Sequence, residues 1–182
     1  MLRRTLTLPL LVVLVSLVAA FRAPPAAGPK PTLPGTSSNF TLVGHDPLMD
    51  RGMNAAPALY HDDKSGKTFV YVGSRTDGSH PNAGVLVVDV SDPSKPNVVG
   101  QIGPPDEALP SMTSRELRVW PQQKVLIVMN FSCSAILHAC ASPADLVGST
   151  NPNFEFYDLS DPANPKLVST YTPSRTPHEM FL

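Results

Sequence analysis

Charge of either sign is sparse in this sequence, and no run of like charges occurs in it. Its 182 residues carry 14 Lys and Arg against 15 Asp and Glu, for a formal net charge of −1. Phosphate binding requires clustered Lys and Arg, so we expect neither a nucleic-acid partner nor an anionic membrane surface. The sequence also lacks a glycine-rich phosphate loop and a G-x-S-x-G nucleophile motif, the marks of nucleotide-binding proteins and of α/β-hydrolases.

Long helical patterns are missing as well. After residue 30, no segment keeps a clean helical periodicity for about ten residues or more, and residues 141–147 could form one helical turn at most. The sequence contains 21 Pro, and each removes a backbone donor and fixes φ. With 42% hydrophobic residues the chain is predicted to be globular, built from many short strands joined by turns.

The first twenty residues are typical of a signal peptide. Arg3 and Arg4 precede an apolar run from Leu6 to Ala20, and cleavage is predicted after Ala20. An uncleaved anchor is the alternative, but this run is shorter than the roughly 20 residues that a membrane span requires. We therefore expect export, to the outside, the cell surface or the periplasm, with no stable membrane span after cleavage. Residues 21–40 are predicted to be a Pro/Ala-rich linker.

Cysteine is rare, with Cys133 and Cys140 the only two. In an oxidising compartment this pair predicts one local disulfide, worth about 2–3 kcal/mol for so short a loop. A metal site that adds His138 to the two thiolates is the alternative, although no second cluster offers a fourth ligand.

Short apolar runs bounded by turn residues predict strands. The central runs are 68–72, 85–90, 124–129 and 154–159, and two shorter outer strands are predicted at 97–102 and 166–171. Runs 85–88 and 125–129 do not alternate, which is typical of strands buried on both faces. Without helices to cover them, sheets must pack on sheets, as in a propeller or a sandwich.

An internal repeat strengthens the propeller interpretation. Residues 88–96 read VDVSDPSKP and residues 157–165 read YDLSDPANP, 69 residues further on. We interpret the shared positions as turn formers rather than calcium ligands, because calcium requires more oxygen ligands at closer spacing. These turn residues are Asp92, Pro93, Pro96, Asp161, Pro162 and Pro165.

With its apolar strand, D-x-S-D-P-x-x-P turn and outer strand, the chain resembles the LVIVD-repeat family. That resemblance implies an all-β fold of antiparallel four-stranded propeller blades. We expect units at about 53–110 and 113–173 and a third that starts at 176, together forming a partial propeller over 41–182. Two blades cannot close a ring, so the sequence is expected to be an N-terminal fragment that lacks its remaining blades and tends to associate. Insertions near 104–110 and 132–152 would explain the long repeat.

Candidate functional residues lie where inner strands begin, near the channel of a propeller. They are Arg115, Glu116, His178 and Glu179. Neighbours in a strand point to opposite faces, so one of each pair would face the channel. Salt bridges between blades, such as Arg115 with Glu116 or Glu179, are the alternative role.

The leading functional hypothesis is an exported, cofactor-free module that binds a protein or carbohydrate, or serves as a scaffold, through its long loops. The alternative is a propeller enzyme with a channel-bound metal ion held by His178 and equivalent residues. We favour the non-enzymatic hypothesis.

Overall fold

The computed structural model describes residues 38–76, 80–103, 112–133, 152–175 and 177–182. These ranges contain eight strands and two short 3-10 turns, Leu48–Asp50 and Pro121–Gln123, and no α-helix. Residues 40–182 form one compact unit. Within the described ranges, no helix has the length and apolar character to cross a membrane. The predicted signal peptide and most of the predicted linker lie outside them.

The first sheet is a four-stranded antiparallel meander. Its strands are β1 (Asn54–Asp62), β2 (Lys67–Ser74), β3 (Val85–Asp89) and β4 (Asn97–Ile102), and their order in the sheet follows the chain. β3 begins at residue 85, as predicted, and ends at residue 89, one residue before the predicted end. β4 has the predicted bounds. Short polar turns between apolar runs produce this meander, as the sequence predicts.

The second sheet repeats the first. It consists of β5 (Met112–Trp120), β6 (Val125–Ser132), β7 (Asn153–Asp158) and β8 (Lys166–Tyr171), again in chain order and antiparallel. Both sheets have a bulge between the third and fourth strands, at Val87/Val88 and at Phe156/Tyr157. Because these bulges lie 69 residues apart, the sequence repeat is also a structural repeat. Two four-stranded antiparallel sheets, with no α-helix in the described ranges, confirm the prediction of partial propeller blades.

The two repeated turns close in the same way. In the first, Asp89 Oδ1 accepts hydrogen bonds from the backbone and the hydroxyl of Ser91. In the second, Asp158 Oδ1 accepts the same two bonds from Ser160, at 2.9 and 2.8 Å. These bonds to the ionised form lower the pKa of both carboxyl groups.

Asp92 and Asp161, which the sequence predicts to be turn formers, lie three residues after Asp89 and Asp158. Asp92 O accepts from Lys95 N at 2.9 Å, and Asp161 O accepts from Asn164 N at 3.0 Å, closing a β-turn in each unit. The Asp92 carboxylate also accepts from Ser94, which lowers its pKa. The positions of Asp and Ser thus determine the turn in both units.

The hydrophobic core lies between the two sheets. Leu117, Leu126 and Val128 of the second sheet pack against residues of the first that include Tyr71, whose side chain is fully buried. The Tyr71 hydroxyl donates to Pro162 O at 3.0 Å and so ties β2 to the turn of the second sheet. Burial raises the pKa of Tyr71, so this phenol stays a donor at any ordinary pH.

The sheets repeat their faces as well as their strands. Tyr71 pairs with Val87 on the face that the first sheet turns to the second. Counting along the ladders, the equivalent pair in the second sheet is Ile127 and Phe156. Adjacent residues of β6 are in the core, so this pair lies on the far face of the second sheet, beside the 47% exposed Trp120. The face of the first sheet that packs on the second therefore corresponds to the far face of the second sheet. Consecutive blades of a propeller are related in this way.

Candidate functional site

The channel residues predicted on β5 lie at an irregularity in the strand. Ser114 pairs with Asn130 and Glu116 pairs with Met129, so Arg115 is the extra residue of a β-bulge. Arg115 is half-buried, and this burial, together with the positive charge of Arg75, lowers its pKa. Glu116 opposes that shift and forms an ion pair with Arg118 at 3.1 Å. Charged side chains therefore concentrate along this strand.

The other two predicted channel residues lie outside any strand. His178 and Glu179 belong to residues 177–182, which form no regular element, and both side chains are exposed. In the part of the chain that the structure describes, no three His, Cys, Asp or Glu side chains are grouped to hold a metal ion. The channel role of these residues stays a prediction.

A cleft opens between the two sheets and encloses a cavity of about 510 Å³. Its wall on the first sheet comes from the ends of β3 and β4, and its wall on the second from all four strands. The lining residues are Gly84, Gln101, Ile102, Gly103, Met112, Ser114, Asn130, Asn153, Glu155, Tyr157, Pro165, Lys166 and Leu167. A cavity of this size is in the range of small-molecule sites.

Three polar side chains form a row across the second sheet in this cleft. Ser114 Oγ donates to Asn130 Oδ1 at 2.7 Å, and Asn130 Nδ2 donates to Asn153 Oδ1 at 2.9 Å. The three residues are directly opposite one another on β5, β6 and β7. These bonds fix the orientation of each amide and leave the amide N–H groups of Asn153 as donors toward the cleft.

A carboxylate and a phenol lie next to this row. Glu155 and Tyr157 are two residues apart on β7, so they share a face, and Tyr157 Oη donates to Glu155 Oε2 at 2.7 Å. Glu155 is half-buried, while Tyr157 is 6% exposed. Since Lys166 also lines the cleft, donors, acceptors and both charges meet there against an apolar floor of Ile102 and other side chains.

Glu155 is the residue that sequence reasoning missed. It falls 69 residues after Leu86, which is completely buried in β3. A carboxylate at a position where the other unit has a buried leucine costs stability unless it has polar partners. Aligning the two units position by position, rather than only at the shared turn, would have revealed it.

The predicted disulfide is only half within the described residues. Cys133 follows β6 directly, is buried, and places its Sγ 3.5 Å from the carbonyl oxygen of Arg75. Cys140 and His138 lie outside the described residues, as does most of the two insertions.

Comparison with known proteins identifies the repeat. The family model of the LVIVD repeat matches residues 68–102 and 154–173, that is, from β2 to β4 and from β7 past β8. No curated protein is significantly similar in sequence to the chain. The matched segments contain both D-x-S-D-P-x-x-P turns.

Proposed function

This chain belongs to the LVIVD-repeat family, and we propose that it is a binding module that holds a small carbohydrate between its two blades. The observation that carries this proposal is Glu155 in the cleft. A half-buried carboxylate replaces a core leucine there and has a tyrosine hydroxyl as its partner. A residue that weakens packing without an evident structural gain is favoured at a ligand site.

The chemistry of the cleft suits a neutral ligand with several hydroxyl groups. Asn153 offers amide donors and Glu155 offers a carboxylate acceptor. Ser114 offers its hydroxyl oxygen as a second acceptor, because its proton is donated to Asn130. Each hydroxyl of a sugar can both donate and accept, so neighbouring hydroxyls can pair with both kinds of group. Ile102, Met112 and the Tyr157 ring supply the apolar surface on which the C–H face of a sugar packs.

Binding can be separated from folding by replacing Glu155 with the residue of the other unit. Glu155→Leu removes the acceptor of the Tyr157 hydroxyl but buries apolar surface as Leu86 does at the equivalent position, so the two effects should offset and the free energy of unfolding should change by less than about 1 kcal/mol. Loss of a charge-assisted hydrogen bond should weaken carbohydrate binding by about tenfold or more. Binding is measured by screening a saccharide array and then by calorimetry with the best saccharide.

The matched control is Gln122→Ala, in the exposed turn between β5 and β6. It should leave affinity unchanged. Equal affinity of the Glu155→Leu variant and the unchanged protein would place the ligand elsewhere, and an array without any bound saccharide would refute the carbohydrate class.

Export is part of the same proposal. It is supported by Arg3, Arg4 and the apolar run to Ala20, and it agrees with a disulfide between Cys133 and Cys140. Expressed in a secreting host, the protein should leave the cell with Phe21 at its N-terminus, and both cysteines should resist alkylation until a reductant is added. Full-length protein retained in the membrane would favour the uncleaved anchor instead.

A further inference from the structure

A short segment before the first sheet repeats the sequence of an outer strand. Residues 42–45 read Leu-Val-Gly-His, and residues 98–101 of β4 read Val-Val-Gly-Gln. The two glycines, Gly44 and Gly100, coincide in this comparison. We call residues 40–46 the arm.

The two glycines make the same contact. A Cβ atom built on Gly100 would lie 2.9 Å from Ala163 O, in the Pro162–Pro165 turn of the second sheet. One built on Gly44 would lie 2.1 Å from Pro93 O, in the equivalent turn of the first sheet. Each glycine is thus needed because a turn approaches its backbone closely. The arm therefore lies against the first sheet as β4 lies against the second.

An arginine fixes the other end of the same segment. Arg51 is 4% exposed, and its guanidinium donates to Val72 O at 2.7 Å, Gly73 O at 2.6 Å and Gly84 O at 3.1 Å. Burial lowers the pKa of Arg51 to about 10, so it stays charged at neutral pH. Gly84, which Arg51 contacts, precedes β3, and Pro93, which Gly44 approaches, follows β3. The segment from Gly44 to Arg51 therefore reaches from one end of that strand to the other.

The arm lies where an outer strand of a preceding blade would lie, but it is not paired with any of the described strands. Phe40, Leu42 and Val43 are 82%, 80% and 62% exposed, and no ladder pairing joins the arm to other residues that the structure describes. By contrast, β4 is paired along its length with β3, with Gly100 opposite Val87. An apolar segment whose backbone groups are not paired in a ladder is a template for another strand.

We propose that the arm is the outer strand of a further LVIVD-type blade and takes as its partner the third strand of a repeat whose own outer position is empty. The contact at Gly44 carries this inference, because it continues the interface that Gly100 makes one blade later. The pairing is antiparallel. The residue equivalent to Val87 lies opposite Gly44, and the residue equivalent to Leu86 lies opposite His45, as in the β3–β4 ladder.

A peptide with the sequence of residues 83–91, AGVLVVDVS, is the probe for this pairing, because it contains β3 and nothing of an outer strand. Added at about 1 mM to the full chain, it should slow amide hydrogen exchange in the arm by about tenfold or more, as measured by mass spectrometry. The same peptide with proline in place of its central valine, Val87, should leave exchange unchanged.

Two chain variants localise the effect. Val43→Pro should abolish the protection of the arm, while the matched variant Ser38→Pro, just before the arm, should retain it. Fluorescence of Trp120 checks that both variants remain folded.

Three results would overturn the proposal. The first is unchanged exchange in the arm with the peptide present, and the second is equal protection by the proline peptide. The third is protection confined to the β4 or β8 edge. Protection that appears without peptide and grows with protein concentration would assign the position to a second copy, which also contradicts the proposal.

Discussion

Replacing Tyr71 with Phe tests whether the two blades behave as one cooperative unit. The Tyr71 hydroxyl is the only atom that the change removes, and it donates to Pro162 O across the interface between the sheets. The side chain is fully buried, so the carbonyl loses its donor in a place that solvent does not reach. The perturbation therefore acts on the contact between blades rather than on either sheet.

The expected loss of stability follows from this single hydrogen bond. A buried hydrogen bond contributes about 1 kcal/mol net, and an acceptor left without its donor costs about 1–3 kcal/mol. The ring stays in place, so no large cavity forms and packing is preserved. We expect the free energy of unfolding to fall by about 1–2 kcal/mol.

The single tryptophan makes the assay informative. Trp120 lies at the end of β5 in the second sheet, whereas the substitution is in β2 of the first. If the sheets unfold together, urea titrations followed by Trp120 fluorescence and by circular dichroism should shift equally.

Tyr171→Phe provides the matched control, since it removes the same atom from a side chain that is 58% exposed on β8. It should change stability by less than about 0.5 kcal/mol. The reasoning fails if Tyr71→Phe is as mild as this control, or if it shifts the circular dichroism transition and leaves the Trp120 transition unmoved.

Three further changes probe other contacts. Gly73→Ala places a Cβ 2.2 Å from Ser114 O, so the sheets must separate, and urea unfolding should show a loss of about 1–3 kcal/mol; unchanged stability would contradict this contact. Arg51→Met leaves three buried carbonyl oxygens without these donors, and since a buried acceptor left unsatisfied costs about 1–3 kcal/mol, the unfolding free energy should fall by about 3 kcal/mol or more, whereas a loss below about 1 kcal/mol would contradict these hydrogen bonds. Ser91→Ala should weaken the dependence of folding stability on acidic pH, because Ser91 hydrogen-bonds the Asp89 carboxylate. The hydrogen bonds from Ser91 lower the pKa of Asp89 in the folded protein, so its stabilisation is present above the ordinary aspartate pKa and is lost as pH falls through the folded pKa. Urea midpoints measured across the acid range should therefore fall less steeply in the variant than in the unchanged protein.

Much of the fold was predictable because its information is local. Val85–Asp89 and Asn97–Ile102 are apolar runs between turn formers, and such runs become strands wherever both faces can be covered. The D-x-S-D-P turn closes on its own side chains, so its conformation depends on a few adjacent residues. Proline density excluded helices, and sheet-on-sheet packing followed from that exclusion.

The cleft was not predictable because its residues come from strands that are distant in the chain. Ser114, Asn130 and Asn153 become neighbours only when β5, β6 and β7 pair in one register, and a shift of one residue would turn them away. Glu155 was visible in the sequence as an exception to the repeat. Only the structure shows that Glu155 accepts a hydrogen bond from the Tyr157 hydroxyl and lines a cleft that the opposite sheet closes.

By itself, the sequence determined the strands, the repeated turns and the all-β fold, because period and turn chemistry act over a few residues. The tertiary structure decided which polar groups share a cleft, why Gly44 must lack a side chain, and where the cation of Arg51 finds its acceptors. Those outcomes depend on the distance between backbone segments about 20 to 60 residues apart, and only the packing of sheet on sheet sets that distance.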